Sequence, residues 1–303
     1  MTIRLNVPDN EYHGSPGVTF HRLSEFLRLG PCWYDRRYVS RTMPPPPDKD
    51  WGQLGRAYHV FGLEGEEAFR AQVIATPATY MGKESAKKDA PLIEKPWNMN
   101  ATACQEWCVA NRGKIILSPS DYDAAVAIGR NMRADPHAAR LLGCGWPELT
   151  IEQDEPRFPV PVKGRVDWLA STSTKTDDAW AIADPKGTSE LEHFERESFK
   201  FQYPRQLAFY RKLVRDEIGK QLPCFLLAVE KDCMHRCRVH QIEDALLDAC
   251  EEQNNRDLDR LAEHYAGKPW TLDHDSRLRV LSTPKWMLDK PDTNNDGPAP
   301  WEA

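Results

Sequence analysis

The chain has 303 residues, enough for one large domain or two smaller ones, and its 40% hydrophobic and 28% charged residues are ordinary for a protein with a real core. No stretch reaches the ~18 apolar residues of a membrane span. The start, MTIRLNVPDNEYHG, has no apolar export segment, so no membrane partner and a cytoplasmic location are expected. With 46 acidic against 40 basic residues and a formal charge of −6, bulk charge excludes coating of nucleic acid, and any such contact needs a local basic surface.

In chain order, "VTFHRLSEFLRLG" carries apolar residues at helical spacing and stops at Gly30-Pro31. "MPPPPDKD" reads as a connector. One helix is predicted from about Leu54 to Val73, and a second over "NATACQEWCVANRGK". A third, "SPSDYDAAVAIGRNMRA", opens with serine and proline in cap positions. After Gly145 the period becomes two. "PELTIEQD", "VPVKGRVDWLA", "DDAWAIADPK" and "CFLLAVEKD" are predicted strands, with the helix "PRQLAFYRKLVRDEI" between the last two. A long helix, "IEDALLDACEEQNNRDLDRLAEHYAG", closes the fold.

The expected class is α/β, a central mixed sheet flanked by helices. Residues 1–287 form one domain, with 1–145 mainly helical and 146–287 the sheet core, and 288–303 are a disordered tail. The eight cysteines are scattered, which suits small buried hydrophobes in a reducing compartment. "CMHRCRVH" gathers Cys233, His235, Cys237 and His240, a set with zinc-like chemistry but no CxxC spacing. It follows an apolar run and also suits the turn and second strand of a hairpin.

"DPKG" at 184–187 has two readings. It spells a type I turn, with Pro185 at the second position and Gly187 at the fourth. Alternatively it ends a strand, with Asp184 and Lys186 on one face about 6.6 Å apart. Alternation favours the strand, because Trp180, Ile182, Asp184 and Lys186 share a face on which two bulky apolar residues lead to an acid and a base. On the preceding strand Lys163, Arg165, Asp167 and Leu169 share a face. Asp167, in a stretch of valine, tryptophan and leucine, must be paired or bind a metal. Antiparallel neighbours would bring Asp167 and Asp184 together, and one lysine cannot neutralise two acids. A divalent, oxygen-loving cation such as Mg²⁺ matches them better.

An acid on one strand followed by Asp184-Pro185-Lys186 on the next resembles the PD-(D/E)xK nuclease superfamily, and within it the RecE-type exonucleases. "EYHGSPGVTFHRLSEFLRLGPCWYDRRY", "LGRAYHVFGLEGEEAF", "GRVDWL", "IADPKGT" and "QYPRQLAFYR" are similar to that family's successive motifs. The resemblance implies a metal set of His59, Asp167, Asp184, the Pro185 carbonyl and Glu148. It assigns catalytic roles to Lys186, Asp167 and Asp184, with Gln206 and Tyr210 beside the substrate. Arg56, Lys163, Arg165, Tyr203 and Arg205 are candidates for contact with the DNA backbone.

The implied activity is Mg²⁺-dependent digestion of linear duplex DNA from its ends, with Mn²⁺ as a possible substitute. The family implies 5′ to 3′ polarity, a ring-shaped homo-oligomer, and a single-strand annealing protein as partner in recombination. No GxxxxGK[ST] motif is present, so no ATP requirement is expected. Two rival readings are a CRISPR-adaptation-like or helicase-linked nuclease, with an iron–sulfur cluster from Cys32 and late cysteines, and a non-catalytic DNA-binding module on the same fold.

Overall fold

The computed structural model describes residues 2–5, 7–44, 52–85, 87, 89–232 and 234–272. The predicted tail and most of the proline-rich connector lie outside the described residues. The strands are β1 (Thr2–Arg4), β2 (Val73–Ala75), β3 (Thr79–Lys83), β4 (Leu92–Pro96), β5 (Ile115–Leu117), β6 (Gly145–Gln153), β7 (Val162–Ser171), β8 (Ala179–Thr188), β9 (Cys224–Glu230) and β10 (Cys237–Ile242). The central sheet runs β1-β6-β7-β8-β9-β10. Every neighbouring pair is antiparallel except β8 and β9. That one parallel pair needs a crossover, which the helix predicted at 204–218 supplies.

The helices are α1 (Asp9–Gly14), α2 (Phe20–Leu29), α3 (Pro31–Tyr34), α4 (Gln53–His59), α5 (Glu66–Gln72), α6 (Thr102–Ala110), α7 (Pro119–Ala134), α8 (Pro136–Leu141), α9 (Phe194–Lys200), α10 (Tyr203–Ile218) and α11 (Asp244–Tyr265). Thr19 caps α2 by accepting from the Arg22 N–H, and Gly30 at φ 85° stops it. Ser118 caps α7, with Pro119 at its first position.

One core cluster includes Leu149, Ile151, Ile182 and Leu226 of the sheet, with Leu207 and Leu213 of α10, Leu258 of α11 and Leu23 of α2. The other holds Trp168, Ala183, Leu227 and Val229 against Phe61, Ile128, Met132 and Leu141. Successive residues of β9 enter different clusters, as a sheet covered on both faces requires.

The amino-terminal half is mainly helical and also carries strands: β1 joins the main sheet, β2 and β5 pair in parallel, and β3 and β4 form a hairpin. Strands of three residues are too short to display a period.

The single helix expected over 54–73 is three pieces. α4 passes into a π-helical turn (Val60–Glu64), Gly65 takes φ 99°, and α5 restarts. Two glycines then set the packing. A Cβ on Gly62 would lie 1.6 Å from Met132 Cε of α7, and one on Gly129 of α7 would lie 2.4 Å from the Phe61 ring.

The zinc reading of the Cys/His cluster fails among the described residues. Cys237 packs against the second cluster, while His240, three positions on and so on the opposite face, lies against Phe194 of the first. Cys233 is outside the described residues. Cys32, Cys224, Cys237 and Cys250 are free thiols, and among the described residues none of them belongs to a group of metal-ligating side chains. The iron–sulfur alternative therefore has no cluster to rest on there.

Candidate active site

The pairing of β7 with β8 ends at Trp168 opposite Ala183. One step further the two strands carry Asp167 and Asp184. On the other side of β7, Glu148 sits opposite Asp167, between the pairs Pro147–Trp168 and Leu149–Val166, in a left-handed conformation with φ 49°. Three adjacent strands thus present one carboxylate each in a row. Asp184 is 1% exposed and Asp167 only partly covered.

Lys186 Nζ lies 2.5 Å from Asp184 Oδ1 and 3.9 Å from Asp167 Oδ2. Asp184 is thus in direct contact with the ammonium, and its buried carboxyl also interacts with that of Asp167. His59, the last residue of α4, reaches the same point from the opposite wall. Its Nδ1 is 3.9 Å from Asp167 Oδ2, and its Nε2 is 3.1 Å from the Pro185 carbonyl oxygen.

The electrostatics follow from burial. Burial, and then the charge of Asp167, push the Asp184 carboxyl up to about 8 against the pull of Lys186. Burial raises Asp167 as well. Burial disfavours the Lys186 ammonium, but the two acids outweigh it and the pKa rises. Burial and the nearby Lys186 charge lower His59 to about 4, so its imidazole is neutral near pH 7 and able to ligate.

The donor set fits a hard divalent cation. It offers two buried carboxyl groups, a main-chain carbonyl and a neutral imidazole. Lys186 stands between the acids, and one donor is main chain.

Asp167 and Lys186 open onto a cleft of about 1070 Å³, with Asp184 buried behind them. Asp167, Lys186, Glu148, Arg165, Arg56, Tyr203, Gln206 and Tyr210 line it, as the sequence motifs require of residues acting together. Gln206 Nε2 donates to Tyr210 Oη at 3.0 Å, one helical turn along α10. Arg165 is held by Asp9, Glu148 and the Val7 carbonyl, and Arg56 stays exposed near Asp9.

Two expected DNA contacts lie elsewhere. Lys163 is fully buried, with Nζ donating to the Tyr12 carbonyl at 2.7 Å and to Ser15. Arg205 is buried against Asn254 and Asp257 and ties α10 to α11. Both are structural cations, and neither points into the cleft.

The cleft also contains residues to which the motifs give no role. His21, Ser24 and Arg28 line it from α2, with Arg37 beyond α3 and Lys200 and Phe201 from the end of α9. The spacing of 21, 24 and 28 is one face of a helix, a signal present in the sequence. The lining holds seven Arg or Lys side chains against three Asp or Glu. It is a basic surface within an acidic chain.

A twisted mixed sheet with two convergent acids, a lysine two residues after the second and a histidine above them defines a protein of the PD-(D/E)xK type. Residues 46–272 match the family described as a PDDEXK-like domain of unknown function (DUF3799), and the chain belongs to that family. Among solved structures, a "Putative exonuclease" from Eubacterium rectale is similar over 95% of this chain and 100% of that one, with TM-score 0.55 and 12% identity. That likeness is one of fold. No protein with a curated description matches the sequence.

Proposed function

We propose that the protein is a metal-dependent exonuclease that hydrolyses phosphodiester bonds from the ends of linear duplex DNA without ATP. The observation that carries this reading is the meeting of Asp167, Asp184, Lys186 and His59 at one point, with Asp167 and Lys186 lining a cation-rich cleft. Family membership and the exonuclease description of the structural relative support it.

A Mg²⁺ or Mn²⁺ ion bound by Asp167, Asp184, the Pro185 carbonyl and His59, with Glu148 nearby, would supply Lewis acidity and lower the pKa of water. Lys186, kept protonated by its two acids, is a donor rather than a base. It orients the attacking water and offsets charge on the phosphate as the P–O bond to the leaving 3′ oxygen breaks. Gln206 and Tyr210, joined to each other, present amide and hydroxyl groups to the substrate. Arg56 and the arginines of the α2 side hold the backbone without regard to sequence. The finer reading is 5′ to 3′ digestion by a ring-shaped homo-oligomer in the cytoplasm, giving single strands to an annealing protein.

The test is digestion of end-labelled linear duplex and covalently closed circles with Mg²⁺, Mn²⁺ or EDTA. Mononucleotide release from the linear form alone, abolished by EDTA, is expected. Equal attack on closed circles would make the enzyme an endonuclease.

A further inference from the structure

Three aromatic rings form a column that ends in the cleft. Phe194, 1% exposed, lies beneath Tyr203, with ring centroids 6.2 Å apart and planes 30° from parallel. Phe201 lies on Tyr203 at 5.8 Å and 29°. The column's inner members are anchored: Phe194 is core, and the Lys186 ammonium sits 5.3 Å from the Tyr203 ring. Its last member is not covered. Phe201 is 52% exposed and lines the cleft, with the Lys200 ammonium 5.3 Å away.

Gln202, between the two outer rings, makes this stack possible at a cost. It takes φ 61° and ψ 32°, a left-handed conformation that disfavours a side chain by about 1–2 kcal/mol. That reversal lets rings two residues apart lie side by side. Gln202 also lines the cleft, and its Oε1 is buried with no hydrogen-bond partner.

A half-exposed phenyl ring with an ammonium beside it and an unpartnered amide oxygen, joined through Tyr203 to Lys186, match a flat aromatic ring with hydrogen-bonding edges attached to a phosphate. We propose that the Phe201–Gln202–Tyr203 turn is a nucleobase subsite, in which the base beside the scissile phosphate stacks on Phe201 and meets the Gln202 amide at its edge. This rests on the nuclease reading. Stacking on an aromatic side chain accepts any base, which suits an enzyme that must read through sequence.

The test uses duplexes whose terminal nucleotide carries 2-aminopurine or no base, with Ca²⁺ for binding and Mg²⁺ for single-turnover cleavage. Wild type should quench 2-aminopurine on binding. Phe201→Ala should lose the quenching and cleave the base-bearing end about tenfold more slowly, with no further loss on the abasic end. Phe201→Trp should keep both properties. So should Phe199→Ala, because Phe199 is 60% exposed but does not line the cleft.

Equal slowing of both substrates by Phe201→Ala, or unchanged quenching, would overturn the subsite and leave the nuclease reading standing. DNA that binds but stays uncut by wild type would refute the nuclease reading, and the quenching would then judge the subsite by itself.

Discussion

Lys186 lies 2.5 Å from Asp184, two residues earlier on the same strand, and 3.9 Å from Asp167 on the neighbouring one. One cation therefore serves two buried acids. Lys186→Ala should leave the two acids without their cation, drive the already raised Asp184 carboxyl further up, and lower the melting temperature in EDTA most strongly above pH 8. Added Mg²⁺ or the second change Asp184→Asn should recover it. Scanning calorimetry of the three proteins, with and without Mg²⁺, checks this.

The catalytic role of Lys186 separates from that structural one in single-turnover rates. Lys186→Ala should lose activity at least a hundredfold while DNA still binds, and Lys186→Arg should recover little, because a planar guanidinium replaces a compact ammonium poorly. Full recovery of the alanine variant at high Mg²⁺ would show that Lys186 only balances charge.

Arg205 and Arg28 should behave oppositely. Arg205→Ala breaks a buried pair with Asp257 and should cost about 3–5 kcal/mol in urea unfolding, with DNA affinity unchanged below the transition. Arg28→Ala should leave stability alone, weaken DNA binding uniformly across sequences and reduce the salt slope by about one. Fluorescence anisotropy across a salt series distinguishes them.

Lys163 gives a pH signature. Burial lowers its ammonium to about 8, below the usual lysine value of about 10.4. Between these values the unfolded chain binds more protons than the folded one, so this group makes stability rise with pH. Wild type should gain relative to Lys163→Met, by up to about 3 kcal/mol, as pH goes from 8 to above 10. Paired urea titrations at pH 7.5 and 10.5 measure it.

Gly129→Ala should push the Phe61 ring and cost about 1–3 kcal/mol, and Phe61→Leu should return part of the loss. Because the π turn containing Phe61 directly follows His59, the variant should also need more Mg²⁺ for half-maximal cleavage. Activity against Mg²⁺ concentration reports this displacement separately from stability.

The site was legible where local pattern and chemistry coincide. Trp180, Ile182, Asp184 and Lys186 alternate onto one face, and a turn has no use for that run. Asp167 stands out because a carboxylate amid valine, tryptophan and leucine needs a partner. The roles of Lys163 and Arg205 were hidden because their partners, Tyr12 and Ser15 for one and Asn254 and Asp257 for the other, lie about 50 to 150 positions away. Sequence shows that an arginine is charged and leaves open which carboxylate has claimed it. The fold class followed from the order of periods, while β1, β2 and β5 are three-residue strands set by pairing with distant segments.

Pro185 stands where β7 and β8 part. It brings no N–H to the β7 side, its Cα partner is Leu227 of β9, and its carbonyl is met by His59. The two strands part after Trp168–Ala183, and each is braced from outside, β7 by β6 and β8 by β9. The gap between Asp167 and Asp184 is thus framed by ladders on both sides, although no ladder crosses it.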